Sequence, residues 1–144
     1  MKIPQEIREA VRRRARGAYE YCQLPQAASV LPHQVDHIIG KQHQGTDALD
    51  NLCLCCIRCN LKKGPNIASV DPETGHVVSL FHPRRHVWPE HFSLSEDGRL
   101  HGLTPEGRVT VQLMDMNEIS RMSMRSLLLR FPGLHLSRGG TPWP

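Results

Sequence analysis

The fold of this chain turns on three short runs: Val35-Asp36-His37-Ile38-Ile39, then Asp50-Asn51-Leu52, then Cys56-Ile57-Arg58-Cys59-Asn60-Leu61-Lys62-Lys63-Gly64. The first has the composition of a short strand over 35–39. The polar stretch 40–50, punctuated by Gly40 and Gly45, predicts a loop. Leu52 to Cys56 is apolar and short, a second strand or a turn into a helix. Cys56 to Lys63 has helical composition and stops at Gly64-Pro65, a strong terminator pair. Residues 35–64 therefore predict strand, loop, strand, helix.

The residue types in these runs carry chemistry. Asp36 supplies hard carboxylate oxygens for a divalent cation. His37 can take a proton from water near neutral pH. Asn60 offers a neutral carbonyl oxygen, which leaves the charge of a metal less quenched. Alone, each has a plainer explanation: a solvated polar pair at 36–37, a turn residue at Asn51, a helix cap at Asn60. On a flat strand Asp36 and His37 also point to opposite faces. They can serve one phosphate only if the strand is bulged or twisted there, or ends at the pair.

Taken together, Asp36-His37-Ile38-Ile39, Gly45, Asn51-Leu52 and Cys56-x-x-Cys59-Asn60-x-x-Lys63-Gly64 resemble the motif of the HNH endonucleases, whose fold is the ββα-metal finger. More loosely, Val11 to about Arg130 is similar to small bacterial HNH proteins common in cyanobacteria, which carry a segment like Leu80-Phe81-His82-Pro83-Arg84 followed by Trp88 and His91-Phe92. The resemblance implies metal-dependent hydrolysis of phosphodiester bonds in DNA, with RNA left open. It makes His37 the general base and Asn51 the residue that orients base and loop. It puts Asp36 and Asn60 on a divalent ion, Mg²⁺ or Mn²⁺. A binding module of the same fold that has lost turnover is the alternative. The family often adds a structural zinc held by two CxxC pairs. Here Cys56 and Cys59 form one pair, but the other is broken: Cys22 stands and Tyr19 occupies the position three before it. A zinc on Cys22, Cys56 and Cys59 stays open, with Cys53, Cys55 or His33 to complete it.

Around this core, Ile3, Ile7, Val11 and Ala15 form an apolar stripe and predict a helix over 4–16, opened by Pro4 and ended near Gly17. Arg8, Arg12 and Arg16 line another face. With Lys62, Lys63 and Arg84 they are the candidates for holding a nucleic-acid backbone. Residues 21–34 read as loop. Asp71-Pro72-Glu73-Thr74-Gly75 predicts a hairpin between 67–70 and 76–81, and Ser95–Gly98 another turn before a short strand at 100–103. Thr104-Pro105-Glu106 has the order of a helix start, giving a helix over 105–115, although Val109-Thr110-Val111 favours strand. Asn117 predicts the cap of a last helix to about Arg130, ended by Pro132-Gly133. Trp88 and Phe92 read as core, and the methionines as gap fillers. His82, His86 and His91 fit no ligand spacing.

The expected class is α+β: a ββα-metal core at 35–64, an N-terminal basic helix, and a hairpin-plus-helices extension over 66–131. Residues 1–131 form one domain and 132–144 a loose tail. Composition agrees. Of 144 residues, 39% are hydrophobic and 22% charged, which excludes collagen, coiled coil and wholesale disorder. A length of this order suffices to bury roughly 70% of the unfolded surface. No apolar run reaches the ~20 residues of a membrane span. Met1–Arg16 lacks the apolar stretch of a signal peptide, so the expected address is the cytoplasm. A formal charge of +4 suits a polyanionic partner.

Overall fold

The computed structural model describes residues 2–26 and 33–131. The expected loose tail at 132–144 and the stop at Pro132-Gly133 lie outside the described residues. So do residues 27–32 of the expected loop before the first strand and the side chain of His33.

Helix α1 (Gln5–Ala15) starts after Pro4 and ends at Arg16, whose φ of 54° puts it in the left-handed region. Strands β1 (His33–His37) and β2 (Leu52–Cys56) pair antiparallel, with Asp36 opposite Cys53 and His37 opposite Leu52. Helix α2 (Ile57–Lys63) follows β2 without a break. Every residue of β2 is buried. That is why its sequence shows an unbroken apolar run rather than alternation: α1 and α2 both pack against it. Arg14 fastens α1 to the hairpin by donating to the Leu49 and Leu52 carbonyls.

The extension holds two more antiparallel pairs. Strands β3 (Ala68–Val70) and β4 (Val77–Ser79) flank the expected turn. A one-turn helix α3 (Trp88–His91) leads into β5 (Phe92–Leu94), which pairs with β6 (Leu100–Gly102). Trp88 is half-buried and stacks on buried Phe92 at 5.0 Å between ring centroids.

Helix α4 (Pro105–Leu113) is capped by Thr104, whose hydroxyl accepts from the Gly107 N–H at 3.1 Å. Its β-branched residues overrule their strand preference because Val109 and Thr110 are its buried face. The Thr110 hydroxyl donates to the Glu106 carbonyl and accepts from the Phe81 N–H at 2.8 Å.

Helix α5 (Ile119–Arg130) corrects one expectation: Glu118 caps it, accepting from the Ser120 N–H at 3.1 Å. Asn117 instead clamps β6, bonding both the N–H and the carbonyl of Leu100 at 2.8 and 2.9 Å. The ladder group outcompetes the helix end because Leu100 is buried and water cannot replace the bond. No helix of the described residues is long and apolar enough to cross a membrane.

The β3–β4 turn is pinned to α4 by Asp71. This fully buried carboxylate accepts two bonds from Arg108, at 2.9 and 2.8 Å, and others from the Glu73 N–H and the Thr74 hydroxyl. The Arg108 bonds, foremost, hold its pKa well below the usual carboxylate range. A depressed carboxyl stabilises the fold above its unfolded value of about 4, and that contribution is lost as pH falls toward the folded value. Asp71→Asn is expected to melt at a lower temperature than the parent at pH 7. The gap should narrow below pH 4. A gap constant from pH 7 to pH 2 would contradict this account.

Candidate functional site

Because β1 ends at His37, the Asp36-His37 pair sits at a strand terminus, and the two side chains leave it toward different partners. Asp36 turns to α2. The Asn60 side-chain amide lies 3.1 Å from both of its carboxylate oxygens and donates to the Gln34 side-chain oxygen on its other side. One turn later, the Lys63 ammonium is 3.7 Å from Asp36 Oδ2 and donates to the His37 carbonyl at 3.1 Å. Burial raises the Asp36 pKa, and the Lys63 charge works against that rise.

The Asn60 amide has two chemically distinct orientations. With its nitrogen on Gln34, its oxygen faces the two oxygens of Asp36, an arrangement that a cation between them, or a proton on Asp36, favours. Turned over, its NH₂ donates to the carboxylate. The 3.1 Å separation accommodates both: it is an ordinary N–H···O distance, and adjacent ligands on an octahedral Mg²⁺, each ~2.1 Å from the ion, lie about 3 Å apart.

The His37 imidazole turns the other way, into the loop. Its Nε2 is 2.7 Å from Asp47 Oδ1, and Lys41 reaches the same oxygen at 2.9 Å. The Lys41 bond, then the His37 bond, hold the Asp47 carboxyl below its usual range. Among the described residues no hydrogen-bond partner stands on Nδ1. Sequence reading missed Asp47. Its only signal is an acid two residues beyond Gly45, and nothing in the pattern says the loop returns to the strand end.

Asn51 is what returns it. Its amide accepts from the Ile39 N–H and donates to the Ile39 and Thr46 carbonyls, each at 2.9 Å. The Ile38 N–H adds a bond to the Asn51 carbonyl at 2.8 Å. Asn51 thus touches the backbone beyond His37, not the imidazole. The loop passes so close that a Cβ on Gly45 would lie 1.7 Å from the Ile39 carbonyl oxygen, which explains the glycine.

The basic candidates divide. Lys63 is 2% exposed and engaged beneath the site. Arg84 pairs with Glu20, whose other oxygen accepts from the Leu54 N–H at 2.7 Å. Burial, helped by the nearby Arg14, brings the Arg84 pKa down to about 10. Arg8 and Arg12 are half-buried, while Arg16 and Lys62 are exposed. A cleft of about 370 Å³ runs beside the loop, lined by His43, Gly45, Asn51, His82, Arg84 and Arg85.

Beneath the hairpin, Cys22, Cys56 and Cys59 converge, their sulfurs all within 4.8 Å of one another. Cys53 and Cys55 are buried but stand outside this group, and all five cysteines are free thiols. Hydrogen bonds from Cys22 and Cys59 lower the Cys56 pKa, while the same contacts raise the other two.

Lys63→Met would leave Asp36 buried without its ammonium. The expected cost is about 3 kcal/mol of unfolding free energy, read by denaturant titration. A loss below about 0.5 kcal/mol, the range of an ordinary surface change, would contradict the pairing.

A search of curated proteins and one of solved structures return no match. The family model described as HNH endonuclease matches residues 20–66, about a third of the chain. That segment spans β1, the loop, β2 and α2, and so includes Asp36, His37, Asn51, Asn60 and the cysteine triad. The segment that the HNH endonuclease model matches is the one on which the candidate site is built.

Proposed function

We propose that the protein is a metal-dependent endonuclease that hydrolyses phosphodiester bonds in DNA, and that its HNH segment is a ββα-metal finger. The observation that carries this reading is the approach of the Asn60 side-chain amide on α2 to within 3.1 Å of both Asp36 carboxylate oxygens at the end of β1, where His37 is the next residue. Asp36 and Asn60 are the residues that would hold Mg²⁺ or Mn²⁺. When bound, such an ion stabilises the charge of the pentacovalent phosphate and of the leaving oxygen.

The remaining steps belong to the chain. His37 accepts the proton of the attacking water on Nδ1, the ring nitrogen left free when Asp47 holds Nε2–H. Asp47 thereby selects the tautomer. Asn51 fixes the loop that carries Asp47 against the end of β1, so base and carboxylate keep their spacing. Lys63 steadies Asp36 as an anion from below. Phosphates would be met by exposed cations, Arg16 and Lys62 among the residues first considered and Arg85 at the cleft. Such contacts give affinity without sequence information.

Nicking of supercoiled plasmid tests the proposal. The full chain with Mg²⁺ or Mn²⁺ should convert it to open circles, and a chelator should stop this. His37→Ala should lower the rate about 10²- to 10⁴-fold, the span expected for removing a general base. Raising salt from about 50 to 200 mM should weaken DNA binding steeply. DNA binding with no cleavage in either metal would overturn the enzyme reading and favour a binding module.

A further inference from the structure

The cysteine triad has the right sulfurs for a metal and the wrong fourth neighbour. A closed structural zinc site takes four ligands, each with a lone pair to give. Cys22 Sγ and Cys56 Sγ are 3.9 Å apart, and Cys59 completes the group. Against them, from α5, stands Arg121. Its Nη1 donates to Cys59 Sγ at 3.0 Å and lies 3.9 Å from Cys56 Sγ.

A guanidinium has five N–H donors and no acceptor, so it cannot ligate a metal. Nor is it free to swing away. Its Nη2 donates to the Met114 carbonyl at 2.7 Å and to the Asp115 carbonyl, and the side chain is 5% exposed. A second guanidinium, that of Arg125 one turn later, is fully buried and donates to the Cys22 carbonyl at 3.5 Å. Among the described residues no carboxylate forms an ion pair with Arg125, and Glu118 is 3.9 Å from Arg121. Two buried cations beside three sulfurs disfavour a third, doubly charged one in the same place.

We infer that Arg121 closes the cluster in place of a structural zinc, so that the HNH segment is held by a metal-free cysteine–arginine knot that also ties α5 to the end of β2. The knot makes sense of Tyr19. With the fourth corner taken by Arg121, that position need not be a thiol, and a fully buried tyrosine packs there. Arg58 adds a second tie between α2 and α5, donating to Glu118 at 2.6 Å and to the Ser120 hydroxyl. None of this depends on the proposed nuclease activity.

Cobalt is the probe, because cobalt–thiolate absorption in the near ultraviolet is blind to an ion held by oxygen ligands such as Asp36 and Asn60. The reduced full chain, titrated with Co²⁺, should show no such band. Its melting temperature without metal should fall by about 5 °C or more in Arg121→Met and by less in Arg121→Lys, which keeps the charge. Should Arg121→Met fail to fold, the titration of the parent chain and the Arg121→Lys melt still decide. A stoichiometric cobalt–thiolate band in the parent chain would overturn the inference, and its change in His33→Ala would then point to the fourth donor. Equal melting of Arg121→Met and parent would overturn it as well.

Discussion

A carboxylate withdrawn from water must be met by a cation or by hydrogen bonds, and Asp36 is met from α2 by the Lys63 ammonium, with the Asn60 amide beside it. Asn60 and Lys63 stand three apart, so they share a face of the helix, and that face is turned to the end of β1. This one requirement sets the tilt of α2 against the hairpin. It also explains why α2 begins without a loop: Cys56 ends β2 and caps α2 with its sulfur, accepting from the Cys59 N–H at 3.3 Å. A built-in ammonium at 3.7 Å lets Asp36 stay charged without an ion and leaves the oxygens toward Asn60 for one. The same carboxylate serves stability on one side and chemistry on the other.

The positive charge of the chain is spent unevenly. Arg84, Arg121 and Arg125 inside the protein, and Arg14 at its surface, act as multi-donor ties, each satisfying backbone carbonyls, sulfurs or a carboxylate that β2 and its neighbours would otherwise leave unpaired. A net charge of +4 therefore overstates what is offered to a polyanion. Some exposed cations, Lys41 on Asp47 and Arg58 on Glu118 among them, are likewise engaged by carboxylates of the chain itself.

That division marks where sequence reading runs out. The limits of α1, β2 and α2 are legible because Pro4, the apolar run 52–56 and Gly64-Pro65 act locally, whereas β1 is His33–His37, two residues before the expected 35–39, which leaves Ile38 and Ile39 outside the strand. The nearness of Asp36 to Asn60 was implied by a motif, since no periodicity links a strand to a helix that far along the chain. Lys63 and Arg84 read as candidates for holding a nucleic-acid backbone, a role that needs the exposure lysine and arginine usually have. Their burial depends on Asp36 and Glu20, residues distant in sequence. The signal for Arg121 and Arg125 was present but unread. They share a face of α5 with buried Leu128, at the spacing of a core stripe, and an arginine in such a stripe must be paid for by buried acceptors. Asn117 failed as a cap for a similar reason: only the fold reveals that Leu100 needs it more.

The central claim is that Asp36 and Asn60 share one cation. Crystals of the full chain soaked in Mn²⁺ test it most directly through the anomalous signal of manganese. The account predicts one strong peak between the Asp36 carboxylate and the Asn60 amide oxygen, with Lys63 still bonded to the His37 carbonyl. No peak there, with the Asn60 amide turned to donate to Asp36, would contradict it.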